Sequence, residues 1–484
     1  MTALYLLLLI PFLSALLMLL VGGAKIDGYI NVMVTAVNFV MSLFVAYYFL
    51  QYGSFVVMGQ YFYIDAFNLL VIVLATFTAM TTAFFSNTYM WYNVTINQLS
   101  RNQLRLYHAM YQLFIFASLV VLTTNNLGIL WVAIEGATLA TVLLVGMYRT
   151  KEAVEAAWKY FILCIVGVAL TLFGTVLIYF SSISVLPQID TRLLWNVLVE
   201  HASTFDPNII KIAFIFIMVG YGTKIGFVPL HNWLPDAYTE CPAPVTVLLS
   251  GVLSNVSLYA LIRFKILVDH ALNNNLTGNL LIGFGLLSFV VGAAFLQRQR
   301  KLKRLFSYSS IEHLGLIAIA FGIGGKTATF IGLFYMLVHS LAKSAIFIII
   351  GGIIQQVGTQ LIEKIRGLIK INSELGWSLI IATLVMAAVP PFGIFTSELL
   401  LFIASVNFSP FLAVILIFGL IYALAGLLRN IQPVVYGEPI TNITKKSFLI
   451  IPAYIHLGVV LILGLYIPPV LQQLLHAAVA VITR

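Results

Sequence analysis

The sequence has 484 residues, of which 61% are hydrophobic and only 8% are charged. A water-soluble domain carries roughly a quarter of its residues as charged side chains, so this composition excludes a soluble protein and makes lipid the solvent. The formal net charge is +9, but the basic residues lie in short loops between apolar runs, where they predict membrane topology rather than nucleic-acid binding. We therefore interpret residues 1–484 as a single transmembrane domain.

The two cysteines, Cys164 and Cys241, lie in or beside apolar segments and form no CxxC motif or Cys/His cluster. This arrangement provides no ligand set for haem, an iron–sulfur cluster or structural zinc, so we expect no cofactor and no metal in this chain. The opening residues, MTALYLLLLIPFLSALLMLLVGG, lack a basic segment and exceed the usual length of a signal peptide. We expect a retained first helix.

Fourteen apolar runs are long enough to cross a bilayer as helices, which takes about 20 residues each. They are residues 3–22, 29–50, 63–86, 108–124, 127–146, 153–180, 209–230, 241–266, 276–297, 305–324, 328–355, 376–403, 408–430 and 447–474. A segment in lipid must satisfy its own backbone hydrogen bonds. The sequence therefore predicts an all-α, fully helical membrane protein.

The basic residues of the loops predict the orientation of these helices. If the N-terminus faces outward, sixteen basic residues lie in cytoplasmic loops: Lys25, Arg101, Arg105, Arg149, Lys151, Arg298, Arg300, Lys301, Lys303, Arg304, Lys364, Arg366, Lys370, Arg429, Lys445 and Lys446. The opposite loops and tail carry about six: Arg192, Arg263, Lys265, Lys326, Arg484 and, just inside a helix, Lys211. Because cytoplasmic loops are enriched in lysine and arginine, both termini are predicted on the outer face of the cell membrane.

Prolines interrupt two of the predicted spans. The seventh continues into KIGFVPLHNWLPDA, with Pro229 and Pro235, and the twelfth contains AAVPPFGIFTSELL, with Pro390, Pro391 and Gly393. Proline removes a backbone donor and breaks a helix, so both spans are predicted to be discontinuous. Paired breaks at corresponding places of two halves are typical of transporters built from inverted repeats. The prolines by themselves are equally consistent with two kinked packing helices.

Few ionisable residues lie within the predicted spans. They are Glu135, Lys159, Lys224, Glu312, Lys343, Glu398, His313 and His339. A charge at the centre of the bilayer costs roughly 2.5–3.5 kcal/mol on insertion scales, so each is a candidate functional residue. Anchoring at the membrane interface is a serious alternative for Lys159, Glu312 and His313, which lie close to a helix start or a basic loop.

Lys224 and Glu398 flank the two proline breaks, where freed backbone groups and trapped water allow a titratable side chain to exchange protons. Glu135 lies among small and hydroxylated residues, and a pair with Lys224 would couple proton release to a change of charge. A purely structural ion pair is the alternative. His339 and Lys343 are four residues apart and share a helix face, which favours a proton relay over an isolated buried histidine.

His231, beside the first break, is a secondary candidate. Glu312 and His313, already named above, are also secondary because they follow a basic loop. The segment AFGIGGKT at 320–327 resembles part of a phosphate-binding loop, but Ala320 replaces its first glycine and no strand precedes it. We predict no nucleotide site and no catalytic constellation. Moving one charge against 100 mV costs about 2.3 kcal/mol, so a partner protein or a counter-ion must supply the energy for ion transport.

Five motifs connect the chain to a known family: YGTKIGFVPLHNWLPDAYTECPAPVTVLLSG, WVAIEGATLATVLLVGMYRTKEAVEAAWKYFILC, KLKRLFSYSSIEHLG, HSLAKSAIF and VPPFGIFTSELLLF. Through them it resembles the antiporter-like membrane subunits shared by respiratory complex I, the multi-subunit cation/proton antiporters and the membrane-bound hydrogenases. Within that superfamily it is similar to hydrogenase-4 component F, of the formate hydrogenlyase type, through SSIEHLG, PPFGIFTSE and AAWKYFILC. The motifs extend over about residues 130–400.

The resemblance implies inverted five-helix repeats over approximately residues 108–266 and 276–430, with broken seventh and twelfth helices. In one departure from the family, we expect this sequence to lack the long lateral helix that one complex I subunit uses as a brace. The resemblance also implies a central hydrophilic axis along which protons pass. The residues that match this axis are Glu135, Lys159, Lys224, His339, Lys343 and Glu398. Many members have a lysine in the eighth helix where this sequence has Asn255, which implies a water-mediated or gated central link.

We therefore expect a proton-translocating membrane subunit of a redox-driven, multi-subunit complex of the hydrogenase-4 or complex I type. Its expected partners are other membrane subunits and soluble redox subunits, which would hold any nickel–iron or iron–sulfur centres. The sequence is also consistent with two alternatives. One is a subunit of a cation/proton antiporter, with sodium as the second ion. The other is the proton-flux module of an inorganic-carbon uptake complex with a soluble zinc partner.

Overall fold

The computed structural model describes residues 2–272, 274–439 and 450–483. In these ranges twelve helices are long and apolar enough to cross a membrane, and a bent pair near the C-terminus would make a thirteenth. Two shorter apolar helices occupy the predicted twelfth span. The all-α, multi-pass architecture is confirmed, and the predicted number of fourteen spans is approximate. Lys445, Lys446, Arg484 and residues 447–449 of the predicted last span lie outside the described residues.

The helices up to the first predicted break are α1 (Thr2–Val21), α2 (Ile26–Tyr52), α3 (Ala66–Thr95), α4 (Arg101–Thr123), α5 (Leu127–Val145), α6 (Lys151–Ile183), α7 (Trp195–Glu200) and α8 (Pro207–Ile225). An antiparallel hairpin of β1 (Phe55–Val57) and β2 (Phe62–Ile64) joins α2 to α3. The expectation of a fully helical chain missed this hairpin, because strands of three residues are too short to show a period in the sequence. α3 then begins with a capping box of Asp65 and Asn68.

The remaining helices are α9 (Trp233–Glu240), α10 (Ala243–Leu248), α11 (Ser254–Ala271), α12 (Leu276–Phe295), α13 (Leu302–Ile323), α14 (Gly325–Val357), α15 (Leu368–Ile371), α16 (Ser373–Met386), α17 (Gly393–Phe408), α18 (Pro410–Tyr436), α19 (Ile451–Leu465) and α20 (Pro469–Ile482). A π-helical turn, Leu249–Leu253, joins α10 to α11 in one span that is buried throughout. α3, α13 and α14 are also mostly buried, whereas α1, α2, α6 and α18 expose large apolar side chains as lipid-facing helices do.

Both predicted breaks are present. α8 ends at Ile225, Gly226 adopts a left-handed conformation (φ 93°) as its C-cap, and the chain resumes as a helix only at Trp233. Pro235 lies in the first turn of α9, where a missing backbone N–H is tolerated. At the second break, α16 ends at Met386, and the non-helical residues 387–392 separate it from α17.

The predicted fourteenth span does not continue as one helix to residue 474. α19 ends at Leu465, and α20 departs at an angle of 77°. Two consecutive prolines, Pro468 and Pro469, lie in this bend and prevent the helix from continuing through it.

Three basic residues that the sequence analysis placed in loops are buried in helices. Arg263 and Lys265 lie within α11, which extends to Ala271, and Lys303 lies in the first turn of α13. Each of the three has a polar partner, which for Lys265 is Asp269 of the same helix. Arg263 pairs with Asp65 over 2.7 Å, and Lys303 donates to the carbonyl of Cys241 over 2.5 Å.

Candidate functional site

The first group of ionisable residues lies where α8 meets α5 and α6. Lys224 occupies the last turn of α8, where the helix dipole favours a positive charge. Its side chain is buried, and its Nζ donates to Thr138 Oγ1 and, over 3.3 Å, to the Tyr160 hydroxyl. The Tyr160 hydroxyl also lies 2.7 Å from Thr141 Oγ1. The lysine ammonium is therefore held by hydroxyl oxygens from two neighbouring helices.

Glu135 belongs to the same group without contacting the lysine directly. It lies three residues before Thr138 on α5, so the two side chains share a helix face. The charges of Glu135 and Lys224 act on each other, but these two described residues form no direct ion pair. Oε2 of Glu135 is buried and has no hydrogen-bond partner in the protein. Hydroxyl groups, not the carboxylate, complete the surroundings of Lys224.

The structure places Lys159 outside this group. Its side chain is 48% exposed and pairs with Glu155 over 2.7 Å and with Asp236 over 3.2 Å. The turn of the helix instead directs the next residue, Tyr160, into the protein. Sequence analysis missed Tyr160, because α6 is apolar on all sides and its sequence does not mark which face is buried.

Asn255 lies on the central span, directly after the π-helical turn of α10–α11. Its Nδ2 donates to the carbonyl of Gly251 over 2.9 Å, and Ser340 of α14 donates to the same carbonyl over 2.7 Å. Its Oδ1 is buried without a protein hydrogen-bond partner. Turns of this kind inside α-helices are frequent at functional sites. The hydrogen bond from Ser340 to the carbonyl of Gly251 joins the central span to α14, the helix that carries Lys343.

His231 lies in the non-helical segment between α8 and α9, as its sequence position indicates. Its side chain is largely buried, and its ring meets that of Tyr308 edge-on at 6.4 Å. Nδ1 of His231 has no hydrogen-bond partner in the protein. The residue is thus available to bind water beside the first break.

A second group of ionisable residues lies between α13, α14 and α17. Lys343 is fully buried, and its Nζ donates to the carbonyl of Phe306 over 3.1 Å and to Ser309 Oγ over 2.9 Å. One turn earlier on α14, the ring of His339 packs against that of His313 with centroids 5.5 Å apart. Neither ring nitrogen of His339 has a protein hydrogen-bond partner. The predicted face shared by His339 and Lys343 is therefore buried against α13.

A chain of hydrogen bonds leads from His313 to Glu398. Tyr335 donates its hydroxyl proton to Oε1 of Glu398 over 2.7 Å. A tyrosine hydroxyl has a single proton, so the 2.6 Å contact between Tyr335 and His313 requires Nδ1 of the histidine to be the donor. Sequence analysis missed Tyr335, although it lies four residues before His339 on the same helix face. The chain can pass a proton by exchanging donor and acceptor roles.

Glu312 and Glu398 line one cavity of about 320 Å³ between α13, α17 and α18. Ionisation of one carboxylate in such a shared space opposes ionisation of the other. Glu312 is 2% exposed and His313 is 1% exposed, so anchoring at the membrane interface does not describe either residue. Among the described residues, no group of three or more His, Cys, Asp or Glu side chains is arranged to hold a metal ion.

The fold and this site define a multi-pass α-helical membrane protein with buried ionisable residues in two halves, each containing a broken helix. The chain belongs to the NADH:quinone oxidoreductase/Mrp antiporter transmembrane family, whose model matches residues 124–423. A hydrogenase-4 component F homolog from Methylacidiphilum infernorum is 44% identical to it over 97% of this chain and 98% of its own length. This likeness confirms the resemblance to component F.

Two solved structures share the fold. A chain of the membrane-bound sulfane sulfur reductase, an archaeal respiratory membrane complex, aligns with a TM-score of 0.90 and 24% identity over 100% of this chain and 98% of that chain. A chain of the Mrp complex from Dietzia aligns with a TM-score of 0.85 and 19% identity over 99% of this chain and 96% of that chain. Family membership and the buried lysine, glutamate and histidine residues identify a proton-translocating membrane subunit.

Proposed function

We propose that this chain translocates protons as one membrane subunit of a redox-driven complex of the hydrogenase-4 or complex I type. The observation that carries the proposal is the burial of Lys224 and Lys343 among hydroxyl and carbonyl oxygens, one in each half of the bundle. In the part of the chain that the structure describes, no carboxylate forms an ion pair with either lysine. A buried ammonium without such a partner is held at a high electrostatic cost, so a nearby change of charge can drive its proton on or off.

The proposed route joins the two groups through the centre of the bundle. In order, its residues are Glu135, Lys224, Asn255, Lys343, His339, His313, Tyr335 and Glu398, with His231 and Glu312 beside the two breaks. Asn255 has no charge to exchange, so the proton crosses the centre on water bound by the amide. Lys159 belongs to the edge of this system, where its surface network with Asp236 adjoins the first break.

The energy for transport comes from partners in this proposal. Moving one elementary charge against 100 mV costs about 2.3 kcal/mol. We assign that energy to soluble redox subunits, which would hold any nickel–iron or iron–sulfur centres, acting through neighbouring membrane subunits. Support comes from the hydrogenase-4 component F homolog and from the respiratory complex that contains a chain of the same fold.

We place the chain in the cytoplasmic membrane with both termini on the outer face. The bias of basic loop residues supports this orientation. It persists when the buried residues are left out of the count. Leaving out Arg263 and Lys265 lowers the count of basic residues on the outer side by two, whereas leaving out Lys303 lowers the cytoplasmic count by one.

The proposed inverted repeats, residues 108–266 and 276–430, are supported by matching helices. α6 and α14 each have 33 residues, and each directs a tyrosine, Tyr160 or Tyr335, at the ionisable residue of a broken span. The helix preceding each of them in the repeat carries a glutamate after isoleucine, Glu135 in one half and Glu312 in the other.

Proton pumping by the assembled complex in vesicles, followed with a pH-sensitive dye, tests the route. We expect Lys224→Ala and Glu398→Gln each to lower the pumping rate by about 100-fold or more, since each removes a group that takes up and releases the proton. Lys370→Gln is the control, because Lys370 is exposed and pairs with Glu438 at the surface. Normal pumping by both test variants, with normal subunit content, would rule out the proposed axis.

A pull-down of the tagged protein from its native membranes in mild detergent tests the driving partner. Subunits are identified by mass spectrometry, and nickel, iron and zinc are quantified. Nickel and iron with hydrogenase-like subunits support the proposal, and iron without nickel indicates a quinone- or ferredoxin-linked relative. Small membrane partners alone would indicate a cation/proton antiporter, and a single soluble zinc protein an inorganic-carbon uptake complex.

A further inference from the structure

A stripe of polar side chains runs along one face of α3, a helix that precedes the residues matched by the family model. Its members, at intervals of three or four residues, are Thr78, Thr82, Ser86, Tyr89 and Asn93. Each of these side chains is 3% exposed or less. From residue 78 to residue 93 the helix rises about 22 Å, most of the roughly 30 Å hydrocarbon core of a bilayer. Burying a continuous polar stripe of this length is costly unless the stripe has polar partners.

One end of the stripe opens into a polar cavity of about 640 Å³. Tyr89 and Asn93 line this cavity together with Tyr148, whose hydroxyl accepts a hydrogen bond from Asn93 Nδ2 over 2.9 Å. Lys301, one third exposed, lines it as well. The cavity lies on the membrane face that carries most of the basic loop residues, which we call the basic face. Water therefore reaches this end of the stripe.

The other end of the stripe reaches the centre of the bundle. Thr78 and Ser344 pack closely against Gly251. A Cβ atom at Gly251 would lie only 2.9 Å from Thr78 Cγ2 and 2.7 Å from Ser344 Oγ. Gly251 is the residue whose carbonyl accepts hydrogen bonds from both Asn255 and Ser340. The stripe thus ends at the contact that joins the two halves.

Two tyrosines of α4 face the middle of the stripe. The hydroxyl of Tyr107 lies beside Ser86, although the geometry does not make a hydrogen bond between them. Tyr111 lies beside Thr82 and donates to the carbonyl of Ala79 over 2.6 Å. Hydroxyl groups from two helices therefore border one path between the cavity and the centre.

Three buried atoms along this path have no hydrogen-bond partner in the protein: the Tyr107 hydroxyl, Thr78 Oγ1 and Asn255 Oδ1. They lie beside the middle of the stripe, at its inner end and at the residue beyond that end. Buried polar atoms of this kind are normally satisfied by internal water, which makes about three hydrogen bonds per molecule. Thr78 and Ser86, beside which Tyr107 lies, are eight residues apart on α3, or about 12 Å along the helix axis. A single water molecule cannot span this distance, so several are needed.

We propose that this face of α3 is the inlet through which protons pass from the basic face to Asn255, along water held by the stripe and the two tyrosines. The inference rests on the proposed function, because an inlet to the centre has a role only if protons move along the axis. Thr82 and Ser86 donate their hydroxyl protons to carbonyls of their own helix, so towards the path they can only accept hydrogen bonds. Water molecules held by these oxygens therefore carry the proton, and no charge is left on the protein. The inlet delivers protons to the centre of the bundle, where the neutral side chain of Asn255 cannot hold one.

Thr78→Val separates this role from a structural one. The substitution removes a hydroxyl that has no protein partner and keeps the shape of the side chain, so a merely structural stripe predicts unchanged assembly and unchanged pumping. The inlet predicts about a fivefold slower pumping rate in the fully assembled complex, the effect of one missing hydrogen bond in the path. Thr76→Val is the matched control. Thr76 is equally buried on α3, but it bonds to Ser42 of α2 over 2.9 Å, and its loss leaves the pumping rate unchanged.

Thiol labelling tests whether the path contains water. A membrane-impermeant thiol reagent added to oriented vesicles is expected to label Ser86→Cys from the basic face only, and to leave Thr76→Cys unlabelled. The wild-type protein, which carries Cys164 and Cys241, provides the blank, and labelling of each variant is measured as the excess over it. Normal pumping by Thr78→Val, or no labelling of Ser86→Cys, overturns the inlet. A large loss in Lys224→Ala in the same assay shows that the proposed function still holds in that case, whereas normal pumping by Lys224→Ala overturns the function itself.

Discussion

The two halves of the bundle contain similar sets of polar side chains but carry opposite charges beside their breaks. Each half has a glutamate, a tyrosine on a 33-residue helix, and an ionisable residue beside the broken span. In order, these are Glu135, Tyr160 and Lys224 in the first half and Glu312, Tyr335 and Glu398 in the second. The tyrosine accepts a hydrogen bond from the lysine in the first half and donates one to the carboxylate in the second.

The immediate surroundings of Lys224 and Glu398 differ accordingly. Lys224 lies at the C-terminal end of the half-helix α8, where a cation is favoured. Glu398 is the sixth residue of α17, beyond the first turn of that half-helix, and its carboxylate is stabilised by the hydroxyl of Tyr335. The helix end and hydroxyl oxygens thus stabilise the cation in the first half, whereas a hydroxyl donor stabilises the carboxylate in the second. The comparison teaches that a tyrosine hydroxyl can serve as the acceptor for a cation in one half and as the donor to a carboxylate in the other.

Replacing the buried lysine of each half tests whether the halves act in series. We expect Lys224→Met and Lys343→Met each to lower proton pumping by about 100-fold or more, because each removes the only ammonium group of its half on the route. Pumping by reconstituted complex of normal subunit content is the measurement. Lys326→Met, at the exposed end of the helix that carries Lys343, is the control. Full activity in one variant alone would show that the halves work in parallel.

The first half also ends in a buried ion pair, and its removal is expected to affect stability strongly. Arg263 lies 2.7 Å from Asp65 and 4.2 Å from the ring centre of Trp195. Asp65→Asn keeps a good N-cap for α3 but leaves the guanidinium unpaired, so the free energy of unfolding should fall by about 3–5 kcal/mol.

Thermal unfolding of the purified complex measures this change. Glu438→Gln, which removes the partner of the exposed Lys370, serves as the control and is expected to cost about 1 kcal/mol or less. Equal effects of the two variants would contradict a special role for the buried pair.

The tyrosines provide a more sensitive comparison of the halves. Tyr335→Phe breaks the bridge between His313 and Glu398, and we expect about tenfold slower pumping because both neighbours lose a charge-assisted partner. Tyr160→Phe should slow pumping only about two- to threefold, because Lys224 keeps its bond to Thr138. The pumping rates of the two variants, measured side by side, show which tyrosine contributes more to proton transfer. A larger effect of Tyr160→Phe would contradict the greater role that we assign to Tyr335.

The smallest effect is expected at Lys159. Its side chain is about half exposed and its ion pairs lie at the surface, where such pairs contribute about 0–1 kcal/mol. We therefore expect Lys159→Gln to pump at more than about half of the wild-type rate. A loss comparable to that of Lys224→Met would move Lys159 from the edge of the system onto the route.

Several features of this protein follow from its sequence alone, because they depend on local composition. Apolar runs of sufficient length specify membrane spans, and paired prolines specify the two breaks. Rare ionisable residues inside the spans stand out against an apolar background. For this reason Lys224, Lys343 and Glu398 could be singled out before any contact was known.

Only the tertiary structure decided which faces of the helices meet. It turned Lys159 outward and Tyr160 inward, although they are neighbours in the sequence, and it buried Arg263 beside a carboxylate nearly 200 residues away. It also brought Tyr335 between a histidine and a glutamate of two other helices. In a chain that is apolar all round, a helix carries little periodic signal to mark its buried face. The partners of a polar side chain are therefore set by packing between distant segments, which composition and spacing do not encode.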